Sequence, residues 1–517
     1  MCQVVAILPS APNPTSPSGL TPTSSAFAPA MVLAIVVTHV AVGVGGALSP
    51  VVATAHAAVT AAACLTVMFF SHRPELIVAA VLYAGTSDVF WRMTHSRAPW
   101  EFPKYLLALG AVVLLVRFMK GSATTKGPLV FILVLVPAMV ITTLSDGLGF
   151  ARDNISSYEL GLVSFGLGVM AFRHIIAGQS DAWNAGWLAV GPLIATLTVT
   201  THALLTTPDI DFSGNSNVAA SGGYGPNQVS SSLGLIILVL ALLAFLPQAR
   251  RVWGVMLGVG MWALWGAFLT FSRGGIYSLV LAGSAMLLLG TATRGARVRS
   301  IATLVVASVA IYLAFTSAND FSGNWLDTRY ENANSTGRST IAELDMEVFW
   351  SHPLLGVGSG RASEFRGQGH LAQAAAHTEF TRVLAEHGVL GIIALGLLAS
   401  MLIQAYRRSL SHWNRLMIVG LSVWSLTTMI HAATRISAVT LMLALTQVRV
   451  ETTSSAPDRR SKGPASEPPP PVEHGHLPHS VQVARIAEPS DRIEPLDHQR
   501  LPVLPQHNLD GFSPRIQ

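Results

Sequence analysis

Apolar runs recur along this chain from about residue 27 to 449, separated by short polar stretches. A membrane-crossing helix needs roughly 20 mostly apolar residues. Segments that meet or approach this length fall at 27–48, 50–70, 74–90, 103–119, 127–145, 159–177, 185–206, 229–247, 252–271, 274–292, 299–317, 384–405, 413–431 and 435–449. The pattern predicts an all-α polytopic membrane protein with about 12–14 transmembrane helices, the runs at 74–90 and 435–449 being short. One interruption differs in kind. Residues 318–383 form a long polar loop with Arg329, Arg338, Arg361, Arg366, His370 and His377. Loops of this length, rich in titratable groups, usually carry function rather than stability.

Composition agrees with the pattern. Hydrophobic residues are 51% of the chain and charged residues 11%, far below the roughly 25% of a soluble domain. The mean hydropathy is +0.50. Residues 1–26 are rich in Pro, Ser and Thr, without the charged start of a signal peptide, and are expected to be a disordered tail. Residues 451–517 turn Pro-, Arg-, Glu- and His-rich, with Pro468 to Pro471 in a row; that composition cannot bury a core. The expected division is therefore tail 1–26, membrane domain 27–450 and tail 451–517. Cys2 and Cys64 are too far apart to suggest a disulfide framework or a metal site. His474, His476 and His479 read as part of a solvated tail rather than as metal ligands.

The net charge is +5, but no basic stretch is interleaved with aromatics, so nucleic acid is not an expected partner. The basic residues follow the positive-inside rule instead. With the N-terminus inside, Arg73, Arg117, Lys120, Lys126, Arg250, Arg251, Arg294, Arg297, Arg299, Arg407, Arg408 and Arg415 all fall on the cytoplasmic side, as does the C-terminal tail. The loops 91–102, 146–158, 207–228 and 318–383 then face outward, away from cytoplasmic ATP.

Several outward residues have the right chemistry for an anionic substrate. Ser272-Arg273-Gly274-Gly275 stands at a membrane boundary. An arginine there can simply snorkel, yet its guanidinium is also a planar fork matched to phosphate oxygens, and the glycines allow close approach to the backbone. Arg338 opens a short amphipathic helix expected to reach about Trp350, with Ile341, Leu344 and Val348 on one face and Thr340/Glu343 at capping-box spacing. A cation at a helix start opposes the macrodipole, so a bound anion would explain it better than an idle surface arginine. In 207–228, Tyr224 and Asn227 flank a tight turn into the helix expected at Val229, whose free N–H groups favour an anion. Asp146, Arg152 and Asp153 are weaker candidates on the same face. Gly356-Val357-Gly358-Ser359-Gly360 imitates a dinucleotide fingerprint but follows no strand, and reads as a flexible turn. His377 is suited to take a proton near neutral pH, with Glu379 as a rival base. Glu386 can pair with Arg382 four residues earlier.

Ser272 to Gly274, the Arg338 helix, the run Trp350 to Gly360, and His377, Phe380, Leu384, Glu386, Gly388 and Gly391 at their spacing together resemble the O-antigen ligase family, over roughly residues 210–445. The resemblance implies a metal-independent GT-C-type glycosyltransferase of the bacterial inner membrane. Its donor would be a polyprenyl-diphosphate-linked glycan and its acceptor a lipid, glycan or protein hydroxyl on the periplasmic face. Residues matching Arg273 and Arg338 would hold the diphosphate, and His377 would activate the acceptor; Tyr224, Asn227, Arg152 and Glu386 are expected to line the substrate site. No cofactor is implied. The chain departs from the family's pattern at Thr378, where Asn is usual. Alternatives are a polysaccharide polymerase or protein O-oligosaccharyltransferase of the same superfamily, a solute transporter, and a scaffold or receptor without chemistry. The nearly charge-free spans disfavour a transporter, which should bury charges mid-membrane.

Overall fold

The computed structural model describes residues 25–118, 126–208, 210–213, 215–290, 294–331, 337–367, 376, 378–409 and 411–451. The N-terminal tail to residue 24 and the C-terminal segment from 452 lie outside the described residues, as does His377.

The chain opens with α1 (Pro29–Leu48), α2 (Pro50–Phe70) and α3 (Pro74–Thr86), each with proline in its first turn, where the missing N–H has no helical partner to lose. Next come α4 (Asp88–Met93), α5 (Phe102–Phe118), α6 (Lys126–Tyr158), α7 (Leu160–Phe172) and α8 (Gln179–Thr206). The central group is α9 (Pro226–Leu243), α10 (Trp253–Leu269), α11 (Arg273–Leu289) and α12 (Arg294–Phe321). The polar region holds α13 (Trp325–Glu331), α14 (Arg338–Ser351), α15 (Ala362–Phe365) and α16 (Glu379–His387). The described chain closes with α17 (Val389–Arg408), α18 (His412–His431) and α19 (Ser437–Leu445). A parallel ribbon, β1 (Ile176–Gly178) with β2 (Arg449–Glu451), is the only strand pairing among the described residues.

Each of the fourteen expected apolar segments is mostly helical, although 159–177 and 435–449 end in the two short strands and 384–405 is broken. Among the described residues eight helical segments are long and apolar enough to cross a membrane; α7, α10 and α11 are shorter apolar helices. The protein is thus an all-α, multi-pass membrane protein. Its helices sort by what surrounds them. On α8 and α9 most residues are buried, including Trp183 and Trp187. Helices α1, α2 and α12 leave Val37, Val59, Phe70, Val305 and Val306 exposed, as a lipid-facing surface requires. Helix α11 lies between α9 and α18, which carries the start of α11 into the middle of the bundle.

The structure departs from four sequence expectations. Residues 148–158, expected as loop, are helical: α6 runs on to Tyr158 through a kink at Gly147 (φ 74°). The helix expected at 384–405 is broken at Gly388, whose φ of 61° and ψ of −139° only glycine adopts readily. The chain there passes so close to the 353–356 turn that a Cβ would lie 2.6 Å from the Pro353 carbonyl oxygen. Thr340 does not cap α14; Gly337, in the left-handed region at φ 77°, precedes Arg338 and leaves no side chain to cap with. The buried face of α14 is Ile341, Asp345, Val348 and Phe349, with Asp345 in place of Leu344 because Arg366 neutralises it at 2.6 Å.

Candidate functional site: an arginine group at the start of α11

The site begins with a strained turn. Phe271 is held at φ 55°, a conformation uncommon outside glycine, and ends α10 abruptly. Ser272 then returns to extended backbone and Arg273 starts α11. The two following glycines have a steric reason. A Cβ on Gly274 would lie 2.3 Å from Cδ2 of His431, and one on Gly275 would lie 2.1 Å from the Ser230 hydroxyl. Only without side chains can α11 press this closely on α9 and α18.

Three arginines from three helices meet here. Arg273 Nη1 donates to the Arg329 carbonyl at 3.5 Å. Arg329, buried on α13, donates from Nε to the Phe271 carbonyl at 2.9 Å and from Nη2 to the Ser216 hydroxyl at 3.2 Å. Arg338 Nη2 donates to Asn227 Oδ1 at 3.1 Å, and the same oxygen accepts the Ser272 hydroxyl at 2.8 Å. Asn227 therefore ties the start of α14 to the start of α11. Burial, then the charges of Arg273 and Arg338, lowers the pKa of Arg329; burial and Arg273 lower that of Arg338. Like charges held this close together favour an anion among them. Among the described residues the buried Arg338 Nε has no hydrogen-bond partner, so it points a donor into the group.

A second layer holds this arrangement. His431 Nδ1 donates to the Thr427 carbonyl at 3.0 Å, and its Nε2 lies 3.0 Å from the Ser231 hydroxyl, which donates to the Asn227 carbonyl at 2.8 Å. Asn227 Nδ2 donates to the His431 carbonyl at 3.3 Å. Sequence reasoning gave Arg329 and His431 no role. The crossing of α11 with α9 and α18 identifies His431, and the return of α13 onto the Phe271 turn identifies Arg329.

The other sequence candidates are placed differently. Tyr224 lies three residues before Asn227 and packs its ring 6.2 Å from that of Trp100. Arg152 is exposed and donates to its neighbour Asp153 at 2.9 Å. Arg361 pairs with Asp146 at 3.2 Å. Glu386 is buried, in an ion network with Arg382, which also bonds Glu379 Oε1 at 2.5 Å and reaches Glu159 at 3.5 Å. His387 Nε2 lies 3.0 Å from Glu159. Glu159, Glu386 and His387 could bring metal-ligating atoms within 4.8 Å of one another, but the Arg382 guanidinium already occupies that environment. Glu379, the rival base, is likewise buried: Arg382 and the Thr434 hydroxyl, at 2.9 Å, occupy its carboxylate.

His377 itself lies outside the described residues, while residues on either side of it in the chain are described. Arg435 Nη2 donates to the Ala376 carbonyl at 2.6 Å, and Glu379 begins α16 two residues after His377. The glycine run is pinned rather than flexible. Gly356, Gly358 and Gly360 all have positive φ; Val357 N donates to the Ala385 carbonyl and Gly358 N to the Glu386 carbonyl, both at 3.1 Å. Thr142 donates to the Ser359 carbonyl at 3.0 Å, so the run wedges α16 against α6.

Residues 258–396 match the family model described as O-antigen ligase, which supports assignment of the chain to that family. The matched segment contains Arg273, Arg329 and Arg338. No curated protein and no solved structure matches the chain.

Proposed function

We propose that this membrane protein of O-antigen ligase type transfers a glycan from a polyprenyl diphosphate carrier to an acceptor hydroxyl at the periplasmic face of the bacterial inner membrane. The observation that carries the reading is the convergence of Arg273, Arg329 and Arg338, with a buried Arg338 donor that has no partner among the described residues. A lipid diphosphate has the matching charge, and its oxygens suit planar guanidinium forks.

The chemistry follows from the leaving group. The acceptor oxygen attacks the anomeric carbon as the bond from that carbon to the diphosphate oxygen breaks. Negative charge grows on the departing lipid diphosphate, where Arg273 and Arg338 stabilise it without a metal ion. The acceptor's proton passes to the His377 imidazole as general base. In-line displacement inverts the anomeric carbon. Asn227 sets the angle of Arg338, and Tyr224 flanks the sugar.

The test is transfer from purified lipid-linked glycan by the full chain in detergent, with chelator present. Wild type stays active. Arg273→Lys and Arg338→Lys lose activity because a point charge cannot replace the fork. His377→Ala loses turnover by roughly 10²–10⁴-fold while donor binding persists. Abolition by chelator overturns the metal-free mechanism, and full turnover of His377→Ala removes the assigned base. In cells, deletion that strips all long chains from the lipid core identifies a ligase; single-repeat chains identify a polymerase.

A further inference from the structure

A cleft of about 280 Å³ opens beside the α4–α5 connection, lined by Asp88, Trp91, Arg92, His95, Ser96 and Trp100 among others. It lies outside the segment matched to the family. Its floor is a buried charge network. Arg92 Nε donates to Asp88 at 2.6 Å, and Glu101 takes Lys104 at 2.7 Å and Arg92 at 3.4 Å. Asp88 also accepts the Ser437 amide at 2.7 Å. Two cations and two anions cancel, so the floor is rigid and nearly neutral, unlike the arginine group.

The wall is aromatic and unusually open. Trp100 is 57% exposed although Arg92 stacks beneath it, 4.7 Å from the ring centroid. One ring face is thus pinned by the cation and the other is presented outward. Tyr224 stands at its edge, its hydroxyl beside Arg92. At the rim, His95 is exposed and held at φ 51°, backbone strain of a kind that gathers at ligand sites. Among the described residues no side-chain hydrogen bond engages the His95 ring or the Ser96 hydroxyl. An open aromatic face beside hydrogen-bonding groups, over a charge-balanced floor, suits an uncharged sugar ring: its C–H face stacks on the indole and its hydroxyls meet His95 and Ser96.

The cleft is also near the arginine group. Tyr224 at its edge and Asn227, which holds Arg338, are three residues apart, so their Cα atoms are separated by no more than about 11 Å. That span is within a short oligosaccharide.

We propose that the Trp100 cleft is a saccharide subsite, binding a neutral sugar ring of the glycan whose reacting end lies at Arg273 and Arg338. The nature of the sugar rests on the glycan-transfer reading; binding does not require that transfer occur. The probes are the repeat oligosaccharide released by mild acid from the host's surface polysaccharide, and inorganic pyrophosphate. Saturation-transfer NMR with the full chain in micelles reads both. Trp100→Ala weakens the oligosaccharide about tenfold and leaves pyrophosphate unchanged. Trp100→Phe retains most oligosaccharide binding, and Arg273→Ala loses pyrophosphate instead. Retained pyrophosphate binding shows that Trp100→Ala is folded. Wild-type affinity of Trp100→Ala for the oligosaccharide, or no binding by wild type, overturns the subsite. In the transfer assay Trp100→Ala raises KM for the acceptor if the acceptor's sugar sits there, and for the lipid-linked donor if the donor's does; a fall in kcat with both KM values unchanged also overturns it. If wild type binds the oligosaccharide but transfers nothing, the function fails and the subsite stands.

Discussion

Asn227 ties Arg338 to Ser272, the residue just before Arg273, although the sequence sets them far apart. Its Oδ1 accepts from Ser272 and from Arg338, so truncation releases Arg338 and leaves Ser272 without its acceptor. Hydrogen bonds to charged groups contribute about 1.5–3 kcal/mol, so Asn227→Ala should lower kcat/KM for the lipid-linked donor at least about tenfold. Unchanged kinetics would mean that Arg338 is placed by other contacts. Glu386 offers a different readout. Burial pushes its carboxyl up to about 7, outweighing the attraction of Arg382, and Glu159 adds to the rise. The folded state therefore holds this proton more tightly than the unfolded chain. The group's stabilising contribution is full below its ordinary value of 4.5 and declines as pH rises through 7. Glu386→Gln should flatten the dependence of Tm on pH across that window. An unaltered slope would place the titration elsewhere.

At the scale of elements, breaks in helices do the positioning. The strained Phe271 turn sets Arg273 at the first position of α11, and Gly388 separates α16 from α17 so that the Arg382 network can be buried. Gly388→Ala combines an unfavourable φ with a Cβ 2.6 Å from the Pro353 oxygen. It should destabilise the fold by about 1–3 kcal/mol or more, seen as a lower Tm in detergent. A wild-type Tm would show that the 353–356 turn yields freely. These breaks were partly legible. Ser272-Arg273-Gly274 at a span boundary advertised itself, because a charge and two glycines interrupt an apolar run. Gly388 did not, since one glycine at the polar start of an apolar run looks like ordinary helix.

At the scale of the molecule, orientation rests on basic residues alone, and we propose that both termini are cytoplasmic. Ser351 is exposed at the end of α14 and suits labelling from outside. In a Cys2→Ser background, Ser351→Cys should react with an impermeant thiol reagent in intact cells, and Ser461→Cys should react only after lysis. The reverse pattern would invert the topology. Cys64 is buried and should stay silent.

Hydrophobic periodicity by itself determined the helical, multi-pass character and the position of all fourteen apolar segments, because a span's length and apolarity are set by the bilayer and are local in sequence. The arginines at 273 and 338 could also be singled out locally, the first by its place at an apolar boundary beside two glycines and the second by its place at a helix start. Tertiary structure decided the rest. Arg329 joined the group because α13 folds back onto the Phe271 turn. Glu386 became part of a buried ion network, and Arg152 was left to its neighbour Asp153. Trp100 met Tyr224 across loops more than 100 residues apart, over Arg92 of the neighbouring α4. Such meetings depend on which helix faces cross and how closely glycines let them approach, and that information belongs to pairs of distant segments rather than to any one of them.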